Sequence, residues 1–438
     1  MLNSLAARVR RLFAPEALRP YASITEQILM SGSNMFASLI VVKAAGVTWF
    51  GIYSFVFVLT TLANGAFATL LHRQMMLEIS AATEEERSKV FLATFAIEVL
   101  FMAIAVSLFA GVLWLAGDYI ESADLEKYSA VIIASIAFVC LYNLFDLCRQ
   151  FLYTTDNQIY SLRCTVIYVL SQGLMLLWIL FQGDEATTVA NTYLAFTASL
   201  IISLGFNGKC LNTISDAKWF SWRYAWSVFL GYFQQGRFGL IGMTVTWIQN
   251  QGMSPFLMVV SGPLVVGYFS LARLMVMPMA VVSQGLVNST TPGLRRTYKR
   301  DGVQLLKQRI TSLSNKNLLF SVLYVTILAI AHIGGMLTRF VPSYAEVQWF
   351  LLLWIMIMTA TMYRFWIGQF FVVSMRFRFM LYVSLSALLV SLSGMLGFGL
   401  GLGNVKLALM FVVVGELVTI FLFLRERRKV LNETESEN

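Results

Sequence analysis

The sequence predicts an all-α, polytopic membrane protein with twelve transmembrane helices in two six-helix bundles. Of its 438 residues, 58% are hydrophobic and 13% are charged, whereas a soluble domain is about 25% charged. A soluble fold has neither the interior for so many apolar residues nor enough charge for its surface. The same apolar excess excludes a disordered chain. A bilayer supplies the missing apolar solvent, because a spanning helix needs roughly 20 apolar residues.

Twelve apolar segments justify the predicted helices one by one. They begin near residues 22, 49, 90, 129, 158, 187, 235, 265, 309, 345, 379 and 404. If the amino end is cytosolic, 24 of the 32 Lys and Arg residues, Arg149 among them, lie on the cytosolic side and 4 on the other. Positive charge marks the cytosolic side of membrane proteins. Both termini are therefore predicted to be cytosolic, and the pI of about 9.4 reflects topology, so no nucleic-acid partner is expected.

The first segment is preceded by an amphipathic stretch between residues 2 and 13. Its apolar residues share one helical face, and three arginines flank that face. This pattern is typical of a short helix on the membrane surface. The apolar residues are Leu2, Leu5, Val9 and Leu12. Residues 1–215 are predicted to form the first bundle with this lead-in helix, and residues 216–438 the second bundle with a basic cytosolic tail.

An internal repeat supports the division into two bundles. The starts of corresponding segments in the two halves differ by 213 to 221 residues, and Gly51-Ile-Tyr53-Ser54-Phe matches Gly267-Tyr-Phe269-Ser270-Leu at an offset of 216. Six helices per half is an even number, so both halves enter the membrane in the same direction. The pseudo-twofold axis that relates them is then predicted to run along the membrane normal, with a central cavity between the halves.

Ionisable residues inside the predicted spans are the candidate functional residues, because function is the default hypothesis for charges in a membrane. The basic ones lie in the second half, and three of the four acidic ones lie in the first half. The basic residues are Arg237, Arg273, Lys316 and Arg364, and the acidic residues are Glu26, Glu98, Asp146 and Glu416. A cationic wall suits an anionic ligand, and guanidinium groups bind phosphate oxygens bidentately.

Structural roles for these residues compete with the functional ones. Arg237 and Lys316 are close enough to the interface to extend their charges into water. Arg273 and Arg364 lie deeper and either bind a ligand or pair with Glu26 or Glu98. Glu26 itself is equally well interpreted as an ion carrier or as the partner of Arg273. Asp146 is expected to form a structural pair with Arg149 at the cytosolic end of its segment, and Glu416 is expected to be paired or protonated.

Glu98, Asn34 and Pro278 are, with Glu26, the candidates for ion coupling or gating. Asn34 belongs to the polar run that Glu26 begins in the first segment. Pro278 is expected to break the eighth segment after Arg273, as proline does where helices bend. A static kink is the alternative for Pro278.

These features together resemble the Wzx-type polysaccharide flippases. The residues that carry the resemblance are the polar first span from Glu26 to Asn34, the Gly-x-Tyr-Ser motif at Gly51 and the Thr291-Pro292-Gly293 end of the eighth span. That group belongs to the multidrug/oligosaccharidyl-lipid/polysaccharide exporter superfamily, which also contains MATE-type multidrug exporters and lipid II flippases. The resemblance covers most of the chain as a layout of helices.

The resemblance implies a MATE-like fold and a transport function in a bacterial inner membrane. The substrate would be a polyprenyl-diphosphate-linked oligosaccharide, destined for O-antigen or exopolysaccharide, that moves from the cytosolic to the outer leaflet by alternating access. Arg273 and Arg364 would hold the diphosphate, with Arg237 and Lys316 attracting it. Membrane lipids, an H⁺ or Na⁺ counter-ion, and a glycosyltransferase or polymerase of the same pathway are the implied partners.

Two other functions remain open from the sequence. A MATE-type, cation-coupled multidrug exporter has the same layout but needs an acidic cavity. A non-transporting membrane subunit of a polysaccharide assembly complex would recruit partners through the basic loop between Arg295 and Arg309. A P-loop is absent from the sequence, and only two histidines occur, so an enzyme, a cofactor or a metal site is not expected.

Overall fold

The computed structural model describes residues 15–116, 122–155, 157–181, 185–215, 220–335, 344–374 and 376–436. All regular structure in these residues is helical, which confirms the all-α prediction. The chain forms two compact units, unit 1 (residues 1–244) and unit 2 (residues 245–438). The lead-in helix predicted at residues 2–13 lies outside the described residues, and the bundle boundary after residue 215 stays a prediction.

Unit 1 contains seven helices and most of an eighth. They are α1 (Pro15–Phe67), which continues through a π-helical segment (Ala68–His72) into α2 (Arg73–Ala81), then α3 (Glu84–Ala116), α4 (Ser122–Thr154), α5 (Gln158–Ile179), α6 (Glu185–Gly205), the short α7 (Gly208–Ser215) and α8 (Trp222–Gln251). Helix α1 packs against α5 and α6, and α4 packs against α6.

Unit 2 begins inside α8 and contains four more helices. They are α9 (Met253–Ile333), α10 (Tyr344–Val373), α11 (Phe377–Gly394), which continues into a second π-helical segment (Met395–Gly401), and α12 (Val405–Ser436). Helix α10 packs against α9 and α12, and α11 packs against α12. The predicted basic tail is the helical end of α12.

Ten helical stretches of the described residues are long and apolar enough to cross a membrane. Two of them, Thr25–Ile79 with 55 residues and Gly239–Ser283 with 45 residues, are far longer than the roughly 20 residues of one crossing. Each of these two accommodates two of the predicted spans. The ten stretches therefore have room for the twelve predicted crossings.

Both long stretches are interrupted at a glycine with a positive φ. Gly46 has φ 73° and ψ 178°, and Gly262 has φ 77° and ψ 179°. Side-chain-bearing residues rarely adopt this backbone conformation, which glycine adopts without a steric penalty. The two glycines are 216 residues apart, the offset that also separates Gly51 from Gly267. The equal breaks support the internal repeat.

The expected break at Pro278 is wrong. The backbone of α9 is helical at Pro278, and its non-helical residues are Gly262 and Gly302. A proline removes one backbone hydrogen bond and bends a helix, but the chain direction can persist. A full interruption needs the positive φ that the two glycines supply.

Aromatic packing fixes the helices that carry the ionisable residues. In unit 1, Leu71 and Met75 are buried in one cluster with Phe91 of α3 and Phe151 of α4, and the two phenyl rings have centroids 4.2 Å apart. Within a bilayer such packing stabilises helix contacts through close van der Waals contact. The cluster holds the first π-helical segment, and therefore His72, against α3 and α4.

Unit 2 has a corresponding cluster between α10 and α12. Trp366, Phe370 and Phe371 of α10 are buried together with Phe423 of α12, and the Phe371 and Phe423 ring centroids are 5.0 Å apart. These contacts lie within a few turns of Arg364 and Glu416. They fix the two helices on which that pair is formed.

Candidate functional sites

Glu26 on α1 is completely buried and fully engaged. Ser161 and Thr165 of α5 donate hydrogen bonds to its carboxylate at 3.1 and 2.8 Å, and Tyr153 of α4 donates another. Arg149 Nε lies 2.5 Å from Oε1. Glu26 therefore fastens α1 to α4 and α5.

The ion pair continues through α4 to the π-helical segment. Arg149 Nη1 lies 3.3 Å from Asp146 Oδ1, so the structural pair expected for these two residues is present. Asp146 Oδ2 lies 3.2 Å from Nδ1 of His72, and the other ring nitrogen, Nε2, lies 3.0 Å from Glu98 Oε2 on α3. Five ionisable side chains thus form one continuous, mostly buried row in unit 1.

The position of Arg149 corrects the sequence analysis in two ways. The charge pattern places it in a cytosolic loop, but it lies inside α4 with 12% of its side chain exposed. It also takes the place of Arg273 as the partner considered for Glu26. Buried basic residues therefore occur in both halves, although unit 1 keeps three buried carboxylates against Arg149 and His72.

Unit 2 contains a cavity of about 180 Å³ among α8, α9, α10 and α12. Its wall combines apolar and aromatic side chains with a few polar groups. The polar residues are Gln249, Asn250, Gln251, Arg273, Thr361 and Glu416. Small-molecule sites usually have this composition, an apolar wall with a few directed polar groups.

Arg273 supplies the positive charge of this cavity. Its Nη1 donates a hydrogen bond to Gln251 Oε1, and its guanidinium lies over the Trp354 ring, 5.4 Å from the centroid. Trp354 Nε1 donates to the Phe269 carbonyl at 3.0 Å, which fixes the ring. Among the described residues, no carboxylate lies within ion-pair distance of Arg273. Since a guanidinium has five N–H donors, most of them stay available to a ligand.

Arg364 lies beside the cavity in a loosely aligned ion pair. Its Nε is 3.0 Å from Glu416 Oε2, and both side chains are buried. Gln249 Nε2 donates to the other oxygen, Oε1, at 3.2 Å. In the described part of the chain, neither Arg364 Nε nor Glu416 Oε2 has a hydrogen-bond partner of suitable geometry. The pair is close enough for attraction but lacks the directed bond.

The other predicted residues lie away from this cavity wall. Arg237 on α8 and Lys316 on α9 are exposed, and neither lines the cavity. Asn34 is partly buried on α1, where its carbonyl accepts a hydrogen bond from Ser38 at 2.9 Å. Pro278 is partly buried on α9. Their assigned roles stay predictions.

Sequence reasoning missed several partners of the predicted residues. The sequence predicts no role for His72, Gln249 or Gln251. A signal was present for both glutamines, because Gln249-Asn250-Gln251 is a polar run within an apolar stretch. The spacing of Asp146 and Arg149 places both on one helical face. The link from Asp146 to His72 depends on tertiary packing and has no local signal.

Known structures resemble the chain over nearly its full length. An inward-facing multidrug resistance MATE family transporter of the MOP superfamily has a TM-score of 0.72 and 14% identity, with 94% of this chain and 96% of that chain covered. The lipid II flippase MurJ in an inward closed conformation has a TM-score of 0.70 and 12% identity, with 94% and 87% covered.

A third structure is a MOP superfamily transporter from Pyrococcus furiosus, described by a reverse polarity of its binding pocket that suggests a different function for it. It has a TM-score of 0.65 and 13% identity, with 95% of this chain and 96% of that chain covered. The chain matches no protein-family model and no curated protein sequence. The structural likeness defines the fold as that of MATE and MOP superfamily transporters.

Proposed function

We propose that the protein is a flippase for a polyprenyl-diphosphate-linked oligosaccharide, moving it from the cytosolic to the outer leaflet by alternating access. The observation that carries the proposal is Arg273, a cation in a largely apolar cavity with no carboxylate within ion-pair distance among the described residues. A Wzx-type function agrees with the fold shared with the flippase MurJ. The glycan class, such as O-antigen or exopolysaccharide, belongs to the proposal, as does a bacterial inner membrane.

A diphosphate would supply hydrogen-bond acceptors for the guanidinium group in this cavity. Its oxygens accept the N–H groups that Arg273 does not use, and such charge-assisted bonds are stronger than neutral ones. Gln251 and Trp354 hold the guanidinium in one orientation, which reduces the entropy lost on binding. The cavity volume of about 180 Å³ is below the roughly 300–1,000 Å³ of sites for drug-sized ligands. A small anionic group fits this volume better than a whole drug molecule.

Arg364 would join the diphosphate by exchanging its partner. The Arg364 Nε atom lacks a directed hydrogen bond to Glu416, so a phosphate oxygen competes with a weakly aligned carboxylate. Release of Glu416 then leaves it with Gln249 as its hydrogen-bond donor. Arg237 and Lys316, which are exposed, would attract the anion before it enters. Access from alternate sides of the membrane completes the proposed cycle.

Loss of Arg273 tests the proposal. The purified protein is titrated with farnesyl diphosphate and, separately, with farnesol, which has the same hydrocarbon chain without the anion. Arg273→Ala is expected to weaken farnesyl diphosphate binding by about 30-fold or more, because a truncated buried charge contact costs about 2 kcal/mol or more. Flipping of a reconstituted polyprenyl-diphosphate oligosaccharide should fall with it.

A matched control removes an equal charge elsewhere. Arg378 is an exposed residue of α11, and Arg378→Ala should leave binding and flipping unchanged. Equal binding of the diphosphate by wild type and Arg273→Ala would reject the role of Arg273. Wild-type protein that binds neither probe and flips no glycolipid, but co-purifies with a glycosyltransferase, would point to the non-transporting assembly subunit.

Glu416 supports export of lipophilic cations as a second candidate. It lines the same cavity as Arg273, and its Oε2 has no hydrogen-bond partner among the described residues. A MATE-type exporter would use such a carboxylate to bind a cationic drug. Binding of ethidium that disappears in Glu416→Gln and survives in Arg273→Ala would favour the exporter over the flippase.

A further inference from the structure

His72 is buried between two carboxylates, and the proposed diphosphate site makes no use of it. Nε2 lies 3.0 Å from Glu98 Oε2, and Nδ1 lies 3.2 Å from Asp146 Oδ2. The exposed fraction is 1% for His72 and 0% for Glu98. At these distances the atoms are in direct contact, which leaves no room for a metal ion between the ring and either carboxylate.

Two protons are needed to make both contacts favourable. An imidazolium has two N–H groups and donates one to each carboxylate, whereas a neutral imidazole has one N–H and one acceptor nitrogen. If His72 is neutral and both carboxyl groups are ionised, one ring nitrogen has no hydrogen. The lone pair of that nitrogen then faces a lone pair of the carboxylate oxygen, and the contact is repulsive. Removing one of the two protons therefore breaks one of the two contacts.

The surroundings determine which proton is exchangeable. Asp146 is held by Arg149 at 3.3 Å, which keeps it ionised and keeps the Nδ1 proton on His72. Glu98 has no such cation, and its Oε1 is buried without a hydrogen-bond partner in the described part of the chain. A buried, half-satisfied carboxylate is costly in the ionised form. The exchangeable proton is thus the one shared by His72 Nε2 and Glu98 Oε2.

Other titratable groups near this proton do not replace it. Glu26 is occupied by Arg149 and three hydroxyl donors. Tyr142 lies close enough to interact with Asp146, Arg149 and Glu26. The thiols of Cys148 and Cys210 lie near Glu98 and near each other. These are the groups that face the pair from α1, α4 and α7, and each is engaged or a weaker acid than Glu98.

The π-helical segment that carries His72 also contacts α8. Its residues Thr69 and Leu70 pack directly on glycines of α8, so that a Cβ atom placed on Gly236 would lie 3.3 Å from Leu70 Cδ2 and one on Gly239 would lie 3.0 Å from Thr69 Cγ2. The same helix ends in Gln249 and Gln251, which bond Glu416 and Arg273 in unit 2. A movement of the π-helical segment would therefore displace the part of α8 that packs on it.

We infer that His72 and Glu98 bind one exchangeable proton whose release loosens the π-helical segment from α3 and drives the return step of transport. In the loaded state, His72 Nε2–H bonds Glu98 and the site is closed to water. In the unloaded state, the proton has left to the solvent and the Nε2–Glu98 contact is repulsive. The inference rests on the proposed flippase function for the identity of the lipid that is exchanged for the proton. Proton binding itself does not depend on the substrate.

Direct observation of the His72 ring tests proton binding without any substrate. The full chain has two histidines, His72 and the exposed His332, so His332→Gln protein labelled with ¹⁵N-histidine reports on His72 alone. Its ring should change from the doubly to the singly protonated form between about pH 5 and about pH 9, a window that extends one unit above the usual histidine range of about pH 5–8. In His332→Gln/Glu98→Gln protein, the change should move to lower pH, because one counter-charge is lost. A ring in one protonation state throughout this range would overturn the inference.

Transport under a pH gradient tests the coupling. The protein is reconstituted with a polyprenyl-diphosphate oligosaccharide, and the membrane potential is clamped at zero. With one proton exchanged per lipid, a difference of 1 pH unit should enrich the glycolipid in the acidic-side leaflet about tenfold, since 1 unit equals 1.36 kcal/mol. This ratio does not depend on the orientation of the protein. His332→Gln should behave as wild type, and Glu98→Gln should give a ratio near one.

The outcomes separate this inference from the proposed function. Flipping that ignores the pH gradient, or that follows a sodium gradient instead, overturns the proton site and leaves the flippase intact. Failure of the wild type to flip the lipid rejects the proposed function, and the ring titration then decides on the proton alone. Thermal melting of each variant identifies any that has lost its fold, in which case the His332→Gln titration is the deciding result.

Discussion

Both units bury an arginine next to a glutamate, but the two pairs differ in how completely they are bonded. In unit 1, Glu26 receives Arg149 and three hydroxyl donors. In unit 2, Glu416 lies 3.0 Å from Arg364 and accepts a hydrogen bond from Gln249, while its Oε2 has no hydrogen-bond partner in the described part of the chain. Among the described residues, the Nε atoms of Arg149 and Arg364 both lack an aligned hydrogen bond, so the two pairs differ in the donors to the carboxylate. A buried pair is stabilising only where geometry and further hydrogen bonds offset desolvation. The first pair is therefore the more completely bonded of the two, and the proposed exchange of partners concerns the second.

The largest effect is expected from removing the arginine of unit 1. Arg149→Met leaves Glu26 and Asp146 buried without their cation, which should cost about 3–5 kcal/mol of stability. The measurement is thermal unfolding of the purified protein in detergent. Arg163→Met, at an exposed position of α5, is the control and should change stability little. The double variant Arg149→Met/Glu26→Gln should recover part of the loss, and a double variant as unstable as the single one would contradict the pairing.

The two glycine breaks should respond alike if they are repeat equivalents. Gly46→Ala and Gly262→Ala each force a side chain into the positive-φ conformation, with an expected loss of about 1–3 kcal/mol. Gly32 on α1 has an ordinary φ and open space where the methyl group of an alanine would lie, so Gly32→Ala should be neutral or stabilising. Unequal losses at the two breaks, measured by the same unfolding assay, would argue against an equivalent backbone role.

The smallest effect is expected in the pair of unit 2. Arg364→Met should cost about 1–3 kcal/mol, because Arg364 faces the single carboxylate of Glu416, which Gln249 still bonds, whereas Arg149 faces two carboxylates. Binding of farnesyl diphosphate should nevertheless weaken in this variant. A stability loss as large as that of Arg149→Met, with unchanged binding, would show that both pairs have the same structural role.

The helical class and the repeat could be predicted because they depend on composition and on spacing along the chain. The charged residues could be identified as important, since burial of any charge in a membrane is costly. Their partners could not be predicted, because Glu26 meets Arg149 and Asp146 meets His72 only through tertiary packing. The burial of Arg149 could not be predicted for the same reason. A charged residue at the end of an apolar segment has the same sequence pattern whether its side chain faces water or a buried carboxylate.

The position of the helix breaks shows a similar limit. Pro278 is conspicuous in the sequence, yet the chain is interrupted at Gly262 and Gly302. Proline is detectable because its ring always restricts the backbone. A glycine in a positive-φ conformation looks no different in the sequence from any other of the 29 glycines. The repeat offset from Gly46 to Gly262 was the one available clue.

The basic segment that begins at Arg295 has a practical consequence. It is helical on both sides of Gly302, Arg295 donates to the carbonyl of Val373 at the end of α10, and Arg309 donates to Thr297 at 2.6 Å. These bonds make the segment a stiff connector between its flanking helices. A fluorescent reporter or affinity tag inserted there would strain both helices, so such fusions are better placed elsewhere.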